Sequence, residues 1–385
     1  MRRLAALAAA LALTPAVAAA AWTPKSLDET ATGVMRDTGA RGLAMVVIED
    51  GRVVATRSYG ARNAKGEPLT PETVMYGASL TKAAFAYMVL QLVDEGRLDL
   101  DRSIAEYLPR PLTDYGDAKT EDAYARWSDL AGDERWRKLT PRILLSHRSG
   151  FANFGFLEPD GKLRFHFDPG ARYAYSGDGL ILLQFVLEQG LGLDVGAEMQ
   201  ARVFKPLGMT RTSMTWRPDF AANLADGWTA DGKVEPHDER SRTRAAGSMD
   251  TTLADMGRLA AAVVRGERLS AASRAAMVRA QAPITTRSQF PTLQPELPAA
   301  ERRPGLATGL GVIRFEGPQG PGFFKGGHNE STGNTWVCLE AGRRCVVILS
   351  NDVRAEAGFP RLVRHVLGET GTPWTWEYGD QRLLP

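Results

Sequence analysis

The segment that begins at Ser79 and ends at Gly96 constrains the fold most, because it predicts a helix with almost no polar face. After Lys82 the residues up to Val93 are nearly all apolar, and Gly96 is a natural helix stop. A helix that is apolar all round must lie inside the protein. An unpaired ammonium in such a segment would be costly to bury. The sequence therefore predicts a central helix in which Lys82 has a polar partner.

Ser79 is the natural partner for this lysine. It is the only serine with a lysine three positions later, in Ser79-Leu80-Thr81-Lys82, and side chains at this spacing share one face of a helix. A serine hydroxyl is a weak nucleophile unless a base takes its proton, and a lysine can do so when burial or a nearby cation lowers its pKa. The motif is short, so it is a hypothesis that needs further support.

Strand patterns lie towards both ends of the chain and helical patterns lie between them. We predict a hairpin around Asp50-Gly51 and late strands near 310–315, 323–330, 334–340 and 344–350. Helices are predicted near 141–145, 180–188, 195–203, 253–264 and 359–367. This order favours a mixed α/β (α+β) fold, in which an antiparallel sheet flanked by terminal helices adjoins an all-helical lobe.

We expect residues 22–385 to form a single catalytic domain. The sheet lobe would comprise about 22–78 and 245–385, and the helical lobe about 79–244, with the site between them. Two long loops, 110–138 and 281–304, either wall this cleft or are surface insertions.

The first twenty residues have the order of a secretory signal peptide. Two arginines precede an apolar run, 4–13, which small residues follow. The run is too short for a stable membrane span, and we expect cleavage between Ala18 and Trp22. The mature protein would be periplasmic or secreted, where a disulfide is permissible. Cys338 and Cys345 in the late hairpin form either such a bond or two buried thiols.

Several ordered motifs resemble one family. Ser79-Leu80-Thr81-Lys82 resembles the nucleophile motif of the serine β-lactamase and penicillin-binding-protein superfamily, and residues 75–100 look like the class C β-lactamases and their related esterases. Segments similar to the family's follow in the family's order at 144–150, 168–177 and 246–249. The resemblance covers nearly the whole mature chain. It implies a β-lactamase/transpeptidase-like fold and a serine hydrolase that works through an acyl-enzyme.

The third family motif, Lys-Thr-Gly or His-x-Gly on a strand facing the serine, has two matches. Lys325 begins one and His328 the other, and the two side chains of a regular strand at this spacing point to opposite faces. We favour His328-Asn329-Glu330, because Ser331-Thr332-Gly333 then resembles the Ser-Thr-Gly that often follows. Lys325 would face elsewhere.

The resemblance implies a role for each matching residue. Ser79 would be the nucleophile, Lys82 would hold or accept its proton, and Tyr175 would act as general base and relay. His328 would stand near the phenol and the substrate, and the N–H groups of Ser79 and Ser331 would form the oxyanion hole. Whether Lys82 or Tyr175 is the resting base stays open, because coupled groups titrate together.

Two departures from the family pattern bear on the substrate. Gly177 stands where the second motif, Tyr-x-Asn, has an amide that contacts an acylamino group. Glu330 replaces the glycine of the third motif, so its carboxylate either enters the cleft and repels a substrate carboxylate or turns to solvent at a bulge. Both favour an esterase. The alternatives are a β-lactamase, a D-alanyl-D-alanine carboxypeptidase, or a non-catalytic sensor of penicillin or muropeptides.

Other classes find little support in the sequence. The net charge is only +2 and basic residues are scattered among acidic ones, which argues against nucleic acid as a partner. The five histidines form no metal-binding pattern, and no phosphate-binding glycine loop occurs, so we predict no metal and no cofactor. The expected partner is a small ester, β-lactam or peptide substrate. The sequence carries no signal for oligomeric state.

Overall fold

The computed structural model describes residues 22–385, so the predicted signal peptide, 1–20, lies outside the described residues. The α-helices, in chain order, are α1 (Pro24–Thr38), α2 (Leu80–Asp94), α3 (Ala118–Ala123), α4 (Pro141–Leu145), α5 (Gly177–Leu191), α6 (Val195–Met199), α7 (Leu253–Arg265), α8 (Ala271–Val278), α9 (Phe359–Leu367) and α10 (Trp374–Tyr378).

The strands form one large antiparallel sheet and two short pairs. In chain order they are β1 (Gly42–Glu49), β2 (Arg52–Gly60), β3 (Met75–Tyr76), β4 (Gly227–Trp228), β5 (Val234–Glu235), β6 (Asp250–Thr251), β7 (Ala282–Pro283), β8 (Ala307–Thr308), β9 (Ile313–Gly317), β10 (Gly320–His328), β11 (Gly333–Leu339) and β12 (Arg344–Ser350). The large sheet has the order β2-β1-β12-β11-β10-β9-β8-β7. The predicted antiparallel sheet, with helices from both ends of the chain beside it, is confirmed.

Local features mark the hairpins β1–β2 and β11–β12. Asp50 and Gly51 both have positive φ, which a two-residue turn between twisted strands requires. Cys338 and Cys345 are directly opposed in β11 and β12 and form a disulfide, so the bonded alternative is correct.

Both faces of the central strands β1, β11 and β12 are covered, which explains why these strands are buried along almost their whole length. On one face Ala44, Val46 and Ile48 of β1 pack in a core with α2 and α7. On the other face Leu43, Met45 and Val47 pack against α1 and α9. Helix α2 lies at the junction of the sheet and the helical lobe, and its residues Leu80–Leu92 are all buried. The predicted central helix is therefore confirmed.

Some boundaries differ from those predicted, and one difference matters for the site. Strand β10 ends at His328 rather than at residue 330, because Asn329 donates a hydrogen bond to Thr332 and closes a turn. On its other side β9 pairs with β10 only as far as Phe324. The last residues of β10 therefore have an open edge, and the candidate site lies along it.

Candidate active site

Ser79 occupies the N-terminal end of α2, where it is partly exposed and lines a cavity together with Lys82 and Tyr175. The preceding residue, Ala78, has a φ of 46°, an uncommon value for a residue with a side chain. The backbone turn at Ala78 places Ser79 at the start of the helix, where unpaired N–H groups favour developing negative charge.

Two side chains converge on the hydroxyl of Ser79. Lys82 Nζ lies 2.9 Å from Ser79 Oγ, and Tyr175 Oη lies 2.7 Å from the same oxygen. The Lys82 nitrogen is also 4.9 Å from the centre of the Tyr175 ring. The three candidate catalytic side chains, which come from α2 and from the loop before α5, therefore meet at one oxygen atom.

The loop that contains His147 holds Tyr175 in place. The carbonyl of His147 accepts from Ala174 N at 2.9 Å, and its Nδ1 accepts from Ser176 N at 3.1 Å. Its ring stacks on that of Tyr175, with 4.5 Å between the ring centres. His147 thus fixes the backbone on both sides of Tyr175 and one face of its ring.

The segment that contains Ala246 fixes Lys82 from the other side. The carbonyl of Ala246 accepts a hydrogen bond from Lys82 Nζ. Nearby, Met249 N donates to Thr81 Oγ1 at 3.2 Å, and Tyr76 Oη donates to the carbonyl of Gly247 at 2.6 Å. The two motif segments 144–150 and 246–249 therefore position the residues that contact Ser79.

Burial favours the neutral forms of Lys82 and Tyr175. It lowers the pKa of Lys82 well below the ordinary lysine value, and the positive charge of Lys325 lowers it further. Burial also raises the pKa of Tyr175, although its hydrogen bond to Ser79 opposes that rise. A neutral amine can accept the Ser79 proton while the neutral phenol donates to the same oxygen.

The expectation that Lys325 faces away from the site is wrong. Its side chain is 4% exposed, it lines the same cavity as Ser79, and its Nζ lies 5.2 Å from the centre of the Tyr175 ring. His328 projects from the opposite face of β10, where its Nδ1 lies 3.1 Å from Glu356 Oε1. It also borders the cavity, but Lys325 is the residue that faces the phenol.

Ser331 and Glu330, two of the predicted substrate-binding residues, lie away from Ser79. The N–H of Ser331 already donates to Asn329 Oδ1 at 3.1 Å, and Ser331 lines a separate cavity of about 170 Å³. The predicted oxyanion role of Ser331 is therefore wrong. Glu330 is exposed in the turn beyond β10, which matches the solvent-facing alternative.

The end of β10 offers a different N–H group to the serine. Successive residues of an antiparallel strand direct their N–H groups alternately to its two neighbours. Asn329 donates towards β11, so the N–H of His328 points to the open edge beyond Phe324. A Cβ added to Gly327 would lie 3.0 Å from Ser79 N, so only a glycine allows the strand to approach this closely. The N–H groups of Ser79 and His328 thus border one space.

The cavity measures about 610 Å³ and has one wall that the sequence did not reveal. Gln289 and Phe290 from the loop 281–304 line it, whereas no residue of the loop 110–138 does. Phe154 and Glu377 complete this wall, the latter from α10. The first long loop is therefore not part of the cleft and the second is.

Phe154 occupies the space beside Gly177. A Cβ added to Gly177 would lie 2.3 Å from Phe154 Cε1, a distance that the two atoms cannot adopt. The N–H of Gly177 donates to Asn153 Oδ1 at 3.0 Å. The Phe154 ring and the Asn153 amide therefore both line the cavity beside Gly177.

Among residues 22–385, no three His, Cys, Asp or Glu side chains are grouped to hold a metal ion. Nor does that range contain a single helix long and apolar enough to cross a membrane. Two helices joined by a strong bend, Gly177–Leu191 and Val195–Phe204, are long and apolar enough to do so when they are taken together.

The fold and this serine–lysine–tyrosine cluster together define a serine hydrolase class in which a helix N-terminus faces the edge of an antiparallel sheet. The chain belongs to the β-lactamase family, whose family model matches residues 27–367. The resemblance inferred from the motifs is therefore confirmed, and the superfamily is one of serine hydrolases that includes esterases, carboxypeptidases and β-lactamases.

Curated relatives differ in activity. The chain is 30% identical over 255 residues to monacolin J acid methylbutanoyltransferase of Aspergillus terreus, covering 57% of this chain and 60% of the relative. It is 29% identical over 219 residues to lovastatin esterase of Penicillium rubens, covering 49% and 53%. It is 24% identical over 242 residues to a putative D-alanyl-D-alanine carboxypeptidase of Salmonella typhimurium, covering 54% and 52%. The chain thus spans little more than half the length of these relatives.

Solved structures share the fold. A β-lactamase/D-alanine carboxypeptidase from Pseudomonas syringae superposes with a TM-score of 0.69 at 16% identity, covering 89% of this chain and 97% of that one. The D-alanine carboxypeptidase AmpC from Burkholderia cenocepacia gives 0.67 at 18% identity, covering 90% and 99%.

Proposed function

We propose that the protein hydrolyses carboxylic esters through an acyl-enzyme formed on Ser79. One observation carries the proposal: Lys82 Nζ and Tyr175 Oη both lie within hydrogen-bond distance of Ser79 Oγ. A hydroxyl with a neutral amine on one side and a phenol on the other has both a proton acceptor and a proton donor.

In the first step Ser79 Oγ bonds to the ester carbonyl carbon, and its proton passes to Lys82 Nζ. The carbonyl oxygen becomes an oxyanion that the N–H groups of Ser79 and His328 stabilise. When the carbon–oxygen bond to the alcohol breaks, the leaving alkoxide takes the Tyr175 phenol proton, which the Lys82 ammonium replaces.

In the second step a water molecule attacks the acyl-enzyme. The water gives its proton to the neutral Lys82 amine, directly or through Tyr175, and its oxygen bonds to the acyl carbon. Breaking the bond to Ser79 Oγ releases the carboxylic acid, and the proton held by Lys82 returns to the serine. The cycle restores all three groups to their starting protonation.

The aromatic part of the cavity wall supports an ester with an apolar acyl group. Phe154 fills the space into which a side chain at position 177 would project, and Phe290 lies 5.3 Å from Tyr175 between ring centres. Aromatic walls suit an apolar acyl group. The esterase and the acyltransferase among the relatives support the same choice.

The test is a substrate panel with covalent labelling. A fluorophosphonate probe, followed by peptide mapping, should modify Ser79, and p-nitrophenyl butyrate should be hydrolysed in preference to nitrocefin. Ser79→Ala should lose both labelling and turnover. Active protein that takes no label on Ser79 would refute the proposal. Formation of a Ser79 acyl-enzyme from p-nitrophenyl butyrate that is not hydrolysed further would indicate a sensor instead.

We propose further that the protein is exported and acts in the periplasm or outside the cell. The disulfide between Cys338 and Cys345 supports an oxidising compartment. The mass of the mature protein and the fractionation of producing cells test this. A retained N-terminal segment on cytoplasmic protein would contradict it.

A further inference from the structure

Glu377 brings a carboxylate into the cavity from a part of the chain remote from every family motif. It lies in α10, is 4% exposed, and lines the cavity with Lys325 and His328. A Cβ added to Gly326 would lie only 1.9 Å from Glu377 Oε1. The carboxylate therefore occupies the volume that a side chain at position 326 would fill, beside the open end of β10.

Two hydrogen bonds in series hold this carboxylate. Gln289 Nε2 donates to Glu377 Oε2 at 2.9 Å, and Gln289 Oε1 accepts from Tyr173 Oη at 2.9 Å. The backbone N–H of Gln289 also donates to the carbonyl of Trp376 at 2.8 Å. The loop 281–304 thus fixes both the side chain and the helix, so Glu377 is an ordered part of the wall.

The cation that would attract a substrate carboxylate lines the same cavity as this acid and is coupled to it electrostatically, although Lys325 and the Glu377 carboxylate lie towards opposite faces of β10. Burial lowers the pKa of Lys325 to about 8, and the charge of Glu377 opposes that shift. Burial raises the pKa of Glu377, whereas the charges of Lys325 and His328 lower it and that of Glu356 raises it. Lys325 and Glu377 therefore stabilise each other's charged forms inside the cavity.

The arginines on the facing wall also have partners within the protein. Arg240 lies 3.3 Å from Asp250 and stacks over the Tyr76 ring, and Arg242 pairs with Asp122. Arg244 donates to the carbonyls of Asp122 and Tyr124. Arg240 and Arg242 therefore have carboxylate partners, whereas the partners of Arg244 are neutral carbonyl groups.

We propose that Glu377 is a specificity-determining residue that restricts the Ser79 site to esters without a carboxylate near the scissile bond. The inference rests on the proposed esterase function. A substrate carboxylate drawn towards Lys325 would meet a fixed acid of the same sign in a poorly solvated cavity, where repulsion is strong. A neutral ester meets no such opposition.

Five esters in two matched sets test this with the wild-type protein. 4-Nitrophenyl methyl succinate is neutral, 4-nitrophenyl hemisuccinate has a carboxylate, and 4-nitrophenyl 4-(trimethylammonio)butanoate is cationic. Methyl 4-acetoxybenzoate and 4-acetoxybenzoate place the same contrast on the alcohol side. In at least one pair we expect kcat/KM for the anionic ester to be about tenfold or more below that for the neutral one. The cationic ester should not be penalised in this way.

Variants then assign the effect to Glu377. Glu377→Gln keeps the size of the side chain and an oxygen for Gln289, and it should reduce the discrimination about tenfold, mainly through KM of the anionic ester. Glu377→Asp should keep the discrimination. Glu369→Gln is the control, because this side chain is 63% exposed and lies in the same part of the chain. Each ratio is normalised to the neutral ester of the same variant.

The outcomes separate the two proposals. Equal wild-type rates on neutral and anionic esters in both pairs would overturn the role of Glu377, whether or not any variant folds. So would a folded Glu377→Gln protein that discriminates like the wild type. Absence of Ser79-dependent turnover of the neutral esters would instead refute the esterase function itself.

Discussion

The ring of Phe154 fills the space into which any side chain at Gly177 would project, since a Cβ added at position 177 would lie 2.3 Å from the ring carbon Cε1. The two positions are therefore coupled: the glycine is needed because the ring is there. This coupling links the departure from the family's second motif to the aromatic ring that stands in this part of the cavity wall.

The first prediction tests this coupling. Gly177→Asn should lower the free energy of unfolding by about 1–3 kcal/mol, because overpacking forces neighbouring groups apart. Phe154→Ala combined with Gly177→Asn should recover a large part of that loss, as expected of residues in contact. Urea denaturation of the two single variants and the double variant measures the interaction. Strict additivity would contradict the coupling.

The second prediction concerns the phenol. Tyr175→Phe keeps the ring that stacks on His147 but removes the proton donor to Ser79, so kcat should fall by about 10²–10⁴-fold with little loss of stability. Tyr59→Phe, which removes a hydrogen bond to Asp28 far from the site, is the matched control. Steady-state kinetics on p-nitrophenyl butyrate measures both. Near wild-type turnover in Tyr175→Phe would exclude Tyr175 as the relay.

The third prediction concerns pH. Neutral Lys82 is the proposed base, so kcat/KM should decline as the pH falls through its pKa. The positive charge of Lys325 lowers that pKa. Lys325→Met should therefore raise the pKa of Lys82 and move the acidic limb of the pH–rate profile to higher pH.

Lys65→Met, at an exposed position, is the control for this shift and should leave the limb in place. The limb position is read independently of the absolute rate. If the acidic limb of the pH–rate profile is unchanged in Lys325→Met, or moves to lower pH, then Lys82 does not control that limb.

The fourth prediction concerns the approach of β10 to the serine. Gly327→Ala places a methyl group 3.0 Å from Ser79 N and 2.9 Å from Leu80 N, so it should disturb the N–H groups that bind the oxyanion. We expect kcat to fall by about 10²–10³-fold. Gly33→Ala in α1, where the nearest atom is 3.8 Å away, should leave kinetics unchanged. Unaltered kcat in Gly327→Ala would argue against an oxyanion hole at this edge.

The fifth prediction concerns the disulfide. It closes a short loop with a sequence separation of 7, so replacing Cys338 and Cys345 by alanine should cost about 1–3 kcal/mol of stability. The kinetic constants should not change, because neither cysteine lines the cavity. Thermal denaturation with and without dithiothreitol measures the effect. A double variant as stable as the oxidised wild type would contradict a structural role.

Local patterns in the sequence predicted the elements on which the site is built. The apolar run after Lys82 required a buried helix, and the spacing of Ser79 and Lys82 required their side chains to share a face. The Asp50-Gly51 turn likewise predicted its hairpin. In each case neighbouring residues determine the outcome, so no long-range information was needed.

The parts of the candidate site that the sequence did not predict depend on contacts between distant segments. Alternation correctly put Lys325 and His328 on opposite faces, but which face meets Ser79 depends on where β9 stops and where the turn after His328 closes. The two glycines after Lys325 were the available signal, since strand glycines mark close approach of another segment. No local pattern marked Glu377, because its place comes from the docking of α10 on the loop 281–304.

The wall formed by α10 also has a consequence for biosynthesis. The reactive hydroxyl belongs to a helix made early, whereas Gln289 and Glu377 emerge from the ribosome late. A polypeptide that ends before residue 374 has Ser79, Lys82 and Tyr175 but lacks the part of the cavity wall that α10 supplies. Truncation at this point is therefore expected to remove the acid of the wall and leave the residues that react with the ester.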